Sequence, residues 1–239
     1  MTAHGLIIGG TRGMGHALAS SWLQQGLSVS VVGRAPYARA THPALRTWAA
    51  DIADTAKVGS VLQDVVAASG PIDRLVFCQR YRGSGDAWEG ELSTSLTATR
   101  AVIEWAAHPD HQPHPSAIVV IGSIAAELVQ LDQPLGYHVA KAGLAQLVRY
   151  YAVKLGALRM RINGVTSGPM VKPESRAFYA TSPEGHRFAQ LTPLGRMGTT
   201  DDLADVVDYL CSDKAGFITG QNIVVDGGLS LRWPGSVES

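Results

Sequence analysis

Cysteine, net charge and long apolar runs are all scarce in this chain, and each scarcity excludes something. Two cysteines in 239 residues, Cys78 and Cys211, lie far apart. Neither a disulfide framework nor a Cys-x-x-Cys zinc site is expected from them. Twenty basic residues balance twenty acidic ones, so no global field draws in nucleic acid or anionic lipid. No apolar run approaches the roughly 20 residues needed to cross a bilayer. The opening MTAHGLIIGG has no basic stretch ahead of an apolar one, so no signal peptide is expected. Fixed-period repeats and linker-like tracts are missing too. The expectation is one soluble, cytoplasmic domain over residues 1–239, with small molecules as partners, no nucleic acid and no membrane.

What the chain does have is alternation. Short runs rich in Val and Ile predict strands at Gly5–Ile8, Ser28–Val32, Arg46–Ala50, Arg74–Cys78, Ala117–Ile121, Arg161–Val165 and Ile223–Val225. They are largely apolar on both faces, as when helices cover both sides of a parallel sheet. Helical patterns fall between them, near Met14–Gln25, Thr55–Ser69, Leu92–Ala107, Gly136–Leu158 and Thr200–Cys211. The alternation predicts an α/β doubly wound parallel sheet of the Rossmann type, about seven strands in the order 3-2-1-4-5-6-7, with helices on both faces. Only APYARATHPALR joins the second strand to the third. That is near the minimum for a crossover, so its helix is expected to be one or two turns long, or missing.

Gly9-Gly10-Thr11-Arg12-Gly13-Met14-Gly15 follows the first strand and opens the first helix. Glycine there allows a tight turn, a close backbone approach to a pyrophosphate and close helix–strand packing. The helix N-terminus then presents free N–H groups and a positive dipole end to phosphate. The second strand ends in Gly33-Arg34. An acidic residue at that tip would bind a ribose 2′-hydroxyl and repel a 2′-phosphate. Arg34 and Arg12 instead favour NADP(H) over NAD(H), since a charge-assisted hydrogen bond to phosphate is worth roughly 1.5–3 kcal/mol. Either arginine alone also reads as a solvated surface charge. Asp51-Ile52 follows the third strand, and on spacing alone Asp51 serves equally as a helix N-cap with Asp54 nearby.

Tyr137 and Lys141 stand one turn apart on a helix that begins near Gly136, and Ser123 lies fourteen residues upstream at a strand end. A phenol near pKa 10 is a poor proton-transfer group at neutral pH, and bringing it near 7 takes roughly 4 kcal/mol. A lysine ammonium beside it favours the phenolate.

Together, Gly-x-x-x-Gly-x-Gly, Ser123, Tyr137-x-x-x-Lys141, Arg161–Val165, Pro193–Gly198, Thr219–Gln221 and Val225–Gly228 resemble the short-chain dehydrogenase/reductase family nearly end to end. The resemblance implies a carbonyl reductase or alcohol dehydrogenase. Tyr137 would be its general acid/base, and Lys141 would adjust the tyrosine and hold the nicotinamide ribose. Ser123 would polarise the substrate carbonyl. Gly9, Thr11, Arg12, Gly13, Met14, Gly15, Arg34, Asp51, Ile52, Cys78 and the main chain of Met170 would line the cofactor, Asp51 reading the adenine amino group. A homotetramer or dimer built on the long helices is a further implication.

The pattern breaks in four places. The phosphate loop begins at Ile8 where the family usually has Thr, and Phe77-Cys78-Gln79-Arg80 replaces the usual Asn-Asn-Ala-Gly. Ser95 stands where the family supplies a proton-relay asparagine, and Lys172 where a threonine often grips the carboxamide. Arg80 and Arg82 thereby bring positive charge to the cofactor or the active-site rim. Two other readings stay open: a non-redox enzyme of the same fold (dehydratase or isomerase), and a nucleotide-binding regulator with lost turnover. Residues 169–190 show no strong period and are expected to form a flap over the substrate. His108, His111 and His114 sit in a Pro-broken loop and are not read as metal ligands. His138 is expected to point away from Tyr137, toward solvent or another subunit. Cys78 is expected to be a small apolar residue at a strand end.

Overall fold

The computed structural model describes residues 2–35, 42–111 and 113–233. The strands are β1 (His4–Ile8), β2 (Ser28–Gly33), β3 (Leu45–Ala49), β4 (Arg74–Phe77), β5 (Ala117–Ser123), β6 (Arg161–Ser167), β7 (Met170–Val171), β8 (Gly198–Thr199) and β9 (Asn222–Val225). The helices are α1 (Gly13–Gln24), α2 (Thr55–Ser69), α3 (Ala87–Glu91), α4 (Ala98–Ala106), α5 (Leu135–Leu155), α6 (Arg176–Thr181), α7 (Pro183–Leu191) and α8 (Thr200–Cys211). Seven strands form one parallel sheet in the order β3-β2-β1-β4-β5-β6-β9, while β7 and β8 pair separately.

Helices cover both faces because the central strands are apolar on both. On one face α2, α4 and α5 pack Leu62, Val102 and Val148 against Leu75, Phe77 and Ile118. On the other, α1 and α8 pack Trp22 and Val207 against Ile7, Val31 and Val119. A hydrogen bond from Trp22 Nε1 to Asp208 ties α1 to α8. The strand order reverses between β1 and β4, which opens a crevice at the carboxyl edge of the sheet.

Two expectations need correction, and a third lies largely outside the described residues. Not every strand is covered on both faces: β3 is largely exposed, as befits an edge strand beside the thin crossover. The predicted crossover helix falls on residues 36–41, outside the described residues. Leu92–Ala107 is not one uniform helix. Its run starts earlier, at Ala87, and passes through a π-helical turn at Leu92–Thr97 before α4. Such π-turns recur at functional sites.

His111 and His114 do structural work at the end of α4. Their Nδ1 atoms meet the carbonyl oxygens of Trp105 (2.7 Å) and Ala106 (2.9 Å) in the last turn of the helix. His111 also stacks on Trp105.

Candidate active site

The phosphate loop is shaped by contacts that exclude side chains. Gly9 has φ +82°, and a methyl group there would stand 2.5 Å from the Gln79 backbone nitrogen. Its N–H donates to Val32 O at 2.7 Å, pinning the turn to β2. A methyl on Gly15 would stand 2.5 Å from Gly10 Cα, so Gly15 lets α1 pack on the turn and does not itself line the cleft. The first turn of α1 has no acidic residue of its own, so its positive end faces the loop, with Glu174 Oε1 3.9 Å from where a methyl on Gly13 would sit.

The cleft above the loop measures about 910 Å³, at the upper end of ligand pockets. Gly9, Thr11, Arg12, Gly13, Met14 and Arg34 line one end of it. A methyl on Gly33 would stand 2.8 Å from Thr11 Cγ2, so the tip of β2 has no room for an acidic side chain unless the loop moves. Asp51 and Ile52 form the neighbouring wall. Asp51 Oδ1 accepts from the Ala53 N–H at 3.0 Å, while the N-cap position of α2 belongs to Asp54. Asp51 as a helix N-cap is therefore ruled out, and the residue lines the cleft.

At the other end the catalytic candidates converge. Ser123, Tyr137 and Lys141 all line the cleft and are buried to 6, 8 and 5 % exposure. Ser123 ends β5 and accepts from the Ala125 N–H at 3.2 Å, which fixes the hydroxyl oxygen at the head of the next turn. Tyr137 and Lys141 share the inner face of α5. Lys141 Nζ donates to Ile121 O at 3.0 Å and stands 5.6 Å from the centre of the Tyr137 ring. Burial pushes the Lys141 ammonium down to about 8; Glu91 opposes that fall and Arg80 adds to it.

Cys78 and Met170 border the same space. Burial pushes the Cys78 thiol up to about 12, which makes it an inert apolar contact. Lys172 reaches over the phosphate loop, its Cδ 3.5 Å from where a methyl on Gly13 would sit. Ser95, by contrast, is buried beneath the cleft and does not line it. It donates to Glu91 Oε2 at 3.4 Å, and its neighbour Thr94 is the residue that reaches the wall. The position that the resemblance assigns to the relay residue thus opens onto Glu91 and not onto the cleft.

His138 is also corrected. Its Nδ1 meets Ala125 O at 2.8 Å and its Nε2 meets Gln130 O at 3.1 Å, so it ties the β5–α5 loop to the catalytic helix and does not face solvent. Residues 169–190 are not irregular: after β7 they fold into α6 and most of α7, and Met170, Lys172, Glu174, Tyr179 and Phe188 line the cleft.

Sequence reasoning missed Glu91 and Gln133. Glu91 is 2 % exposed, and burial raises its carboxyl above the ordinary range. The one signal was its position four residues before Ser95 in the same helical run. Among the described residues, no three His, Cys, Asp or Glu side chains gather into a metal site. No helix among them is long and apolar enough to cross a membrane.

Known proteins bear on this arrangement. A family model described as Enoyl-(Acyl carrier protein) reductase matches residues 9–230. An uncharacterised oxidoreductase of Schizosaccharomyces pombe is 30% identical over 96% of this chain and 92% of its own length. Two solved structures share the fold. One is a short chain dehydrogenase from Leptospira borgpetersenii with bound NAD+, at TM-score 0.84, 21% identity and coverage of 96% and 93% of the two chains. The other is ElxO with NADP bound, at TM-score 0.83, 22% identity and coverage of 97% and 100%. With a matched model that spans nearly the whole chain, and a cleft lined by Ser123, Tyr137 and Lys141, the protein belongs to the short-chain dehydrogenase/reductase family of oxidoreductases.

Proposed function

We propose that the protein is an NADP(H)-dependent carbonyl reductase, or an alcohol dehydrogenase in the reverse direction. One observation carries the reading: Ser123, Tyr137 and Lys141 are buried together at one end of a single cleft whose other end carries Arg12 and Arg34. The glycines of the phosphate loop add no side chains of their own at the positive end of α1, and Lys172 lies over Gly13, which fits a dinucleotide pyrophosphate. When bound, the nicotinamide supplies or accepts the hydride.

The chain's own residues handle the proton. Tyr137 Oη gives a proton to the substrate oxygen in reduction and removes one in oxidation. Ser123 Oγ holds that oxygen in place. Lys141, one turn along α5, sets a positive charge against the negative charge that develops on the phenol oxygen. Asp51 and Ile52 flank the adenine, Met170 offers its main chain to the carboxamide, and Cys78 packs against the ribose. The segment 169–190 closes over the substrate, with Tyr179 and Phe188 as walls. On α5 the exposed Val139, Tyr150 and Val153 favour burial against a second copy, consistent with a dimer or tetramer. The site of action is the cytoplasm.

The test is a panel of ketones and quinones with NADPH and NADH, followed at the cofactor absorbance. NADPH oxidation that Tyr137→Phe abolishes while cofactor binding persists supports the reading. Tight cofactor binding with no consumption by any carbonyl overturns it, in favour of a regulator. Cofactor-independent conversion of a hydroxy compound to an alkene would make it a dehydratase.

A further inference from the structure

The catalytic end of the cleft holds a cation that reduction of a neutral ketone does not need. Arg80 stands in the segment after β4 and lines the cleft. Its guanidinium lies over the Tyr137 ring, with Cζ 4.5 Å from the ring centre. The group is held from behind. Nη2 donates to Gln133 Oε1. Nε faces Glu91 Oε1 at 4.0 Å without a hydrogen-bond partner. Ser95 Oγ in turn holds the other oxygen of Glu91. The side chain is 36% exposed toward the cleft, and Nη1 gives no hydrogen bond to any described residue.

Charge around this group is unbalanced. Arg82 and Lys172 share the wall, and both have their proton affinity lowered, first by burial and then by neighbouring cations that only Glu174 opposes. Lys172 lies over Gly13 of the phosphate loop, where a bound pyrophosphate would answer it. Arg80 instead stands on the Tyr137 ring, where its charge also acts on Lys172 and Arg82. A planar, pre-oriented guanidinium with free donors is suited to a carboxylate.

We propose that Arg80 binds a carboxylate of the substrate one or two carbons from the carbonyl served by Tyr137, so that the enzyme acts on oxo acids and the matching hydroxy acids. This rests on the proton-transfer role given to Tyr137 above. Glu91 and Gln133 are positioning residues for Arg80: they hold the guanidinium over the ring, where its free edge meets the substrate.

Acetoacetate and methyl acetoacetate share a ketone and differ in charge, so they test the idea directly. In the wild type, kcat/KM for the acid should exceed that for the ester by about ten- to hundredfold, the worth of one charge-assisted hydrogen bond. That ratio should fall toward one in Arg80→Met and be partly kept in Arg80→Lys. Calorimetric binding of the two compounds to the enzyme–NADP+ complex, which has no hydride to give, reads the same ratio in the wild type without turnover. Equal binding of acid and ester there, or an unchanged ratio in a folded Arg80→Met variant, overturns the proposal. If neither compound is reduced, the binding ratio still decides for or against Arg80, while the reductase reading stands or falls on the wider panel of ketones and quinones.

Discussion

The Lys141 ammonium stands 5.6 Å from the centre of the Tyr137 ring, buried on the same face of α5. The fold bears the cost of this placement. Lys141 titrates near 8 in the folded chain against 10.5 when free. Below pH 8 it is charged in both states and folding carries the full cost of burying it. The cost lifts between about 8 and 10.5, where the unfolded chain alone keeps the proton. Lys141→Met should therefore raise Tm at pH 7, by about 2–4 °C per kcal/mol relieved, while turnover falls by at least ~10²-fold. Calorimetry beside an NADPH oxidation assay checks both signs.

Glu91 should set the alkaline limb of the pH profile. Wild-type kcat/KM is expected to fall as Lys141 loses its proton near pH 8. Glu91 raises the proton affinity of that lysine, so Glu91→Gln should move the limb down, on the order of one pH unit. A profile from pH 6 to 10 measures it, and an unmoved limb rules out the coupling.

Arg34 lies at the end of the cleft away from Tyr137. Arg34→Asp replaces a cation with a carboxylate that repels a 2′-phosphate, so the ratio of kcat/KM for NADPH over NADH should drop at least ten- to hundredfold. An unchanged ratio would remove Arg34 from the cofactor account.

Away from the cleft, Asp202 organises the start of α8. Its carboxylate takes a fork from Arg196, both contacts at 2.7 Å, and accepts from the Thr199 N–H and Oγ1 in a reciprocal cap. The arginine fork is the main reason its carboxyl lies well below the usual range. Asp202→Ala should cost about 1–2 kcal/mol, or roughly 2–8 °C in Tm. The stabilisation is present above the ordinary carboxylate pKa and is lost as pH falls through the depressed folded value. Wild type and variant should thus converge in strong acid, which thermal melts at pH 7 and near pH 2 would show.

Local sequence determined much of this protein. Val/Ile runs of strand length specify buried strands, because only a two-sided cover of helices can hide them. Gly9, Gly13 and Gly15 between strand and helix specify the cradle, since β-carbons at Gly9 and Gly15 meet backbone. Tyr137 and Lys141 share a face through helical period alone. Tertiary structure decided the rest, because nothing in a run of residues reports its distant neighbours. Arg80 lies on the Tyr137 ring beside Gln133 and Glu91, which come from two other segments. Ser95 bonds to Glu91 within a π-helical turn that no periodicity announces. His138 binds a loop that folds back over α5. Period and turn chemistry act within a few residues along the chain, whereas burial and charge balance exist only after separated segments have packed.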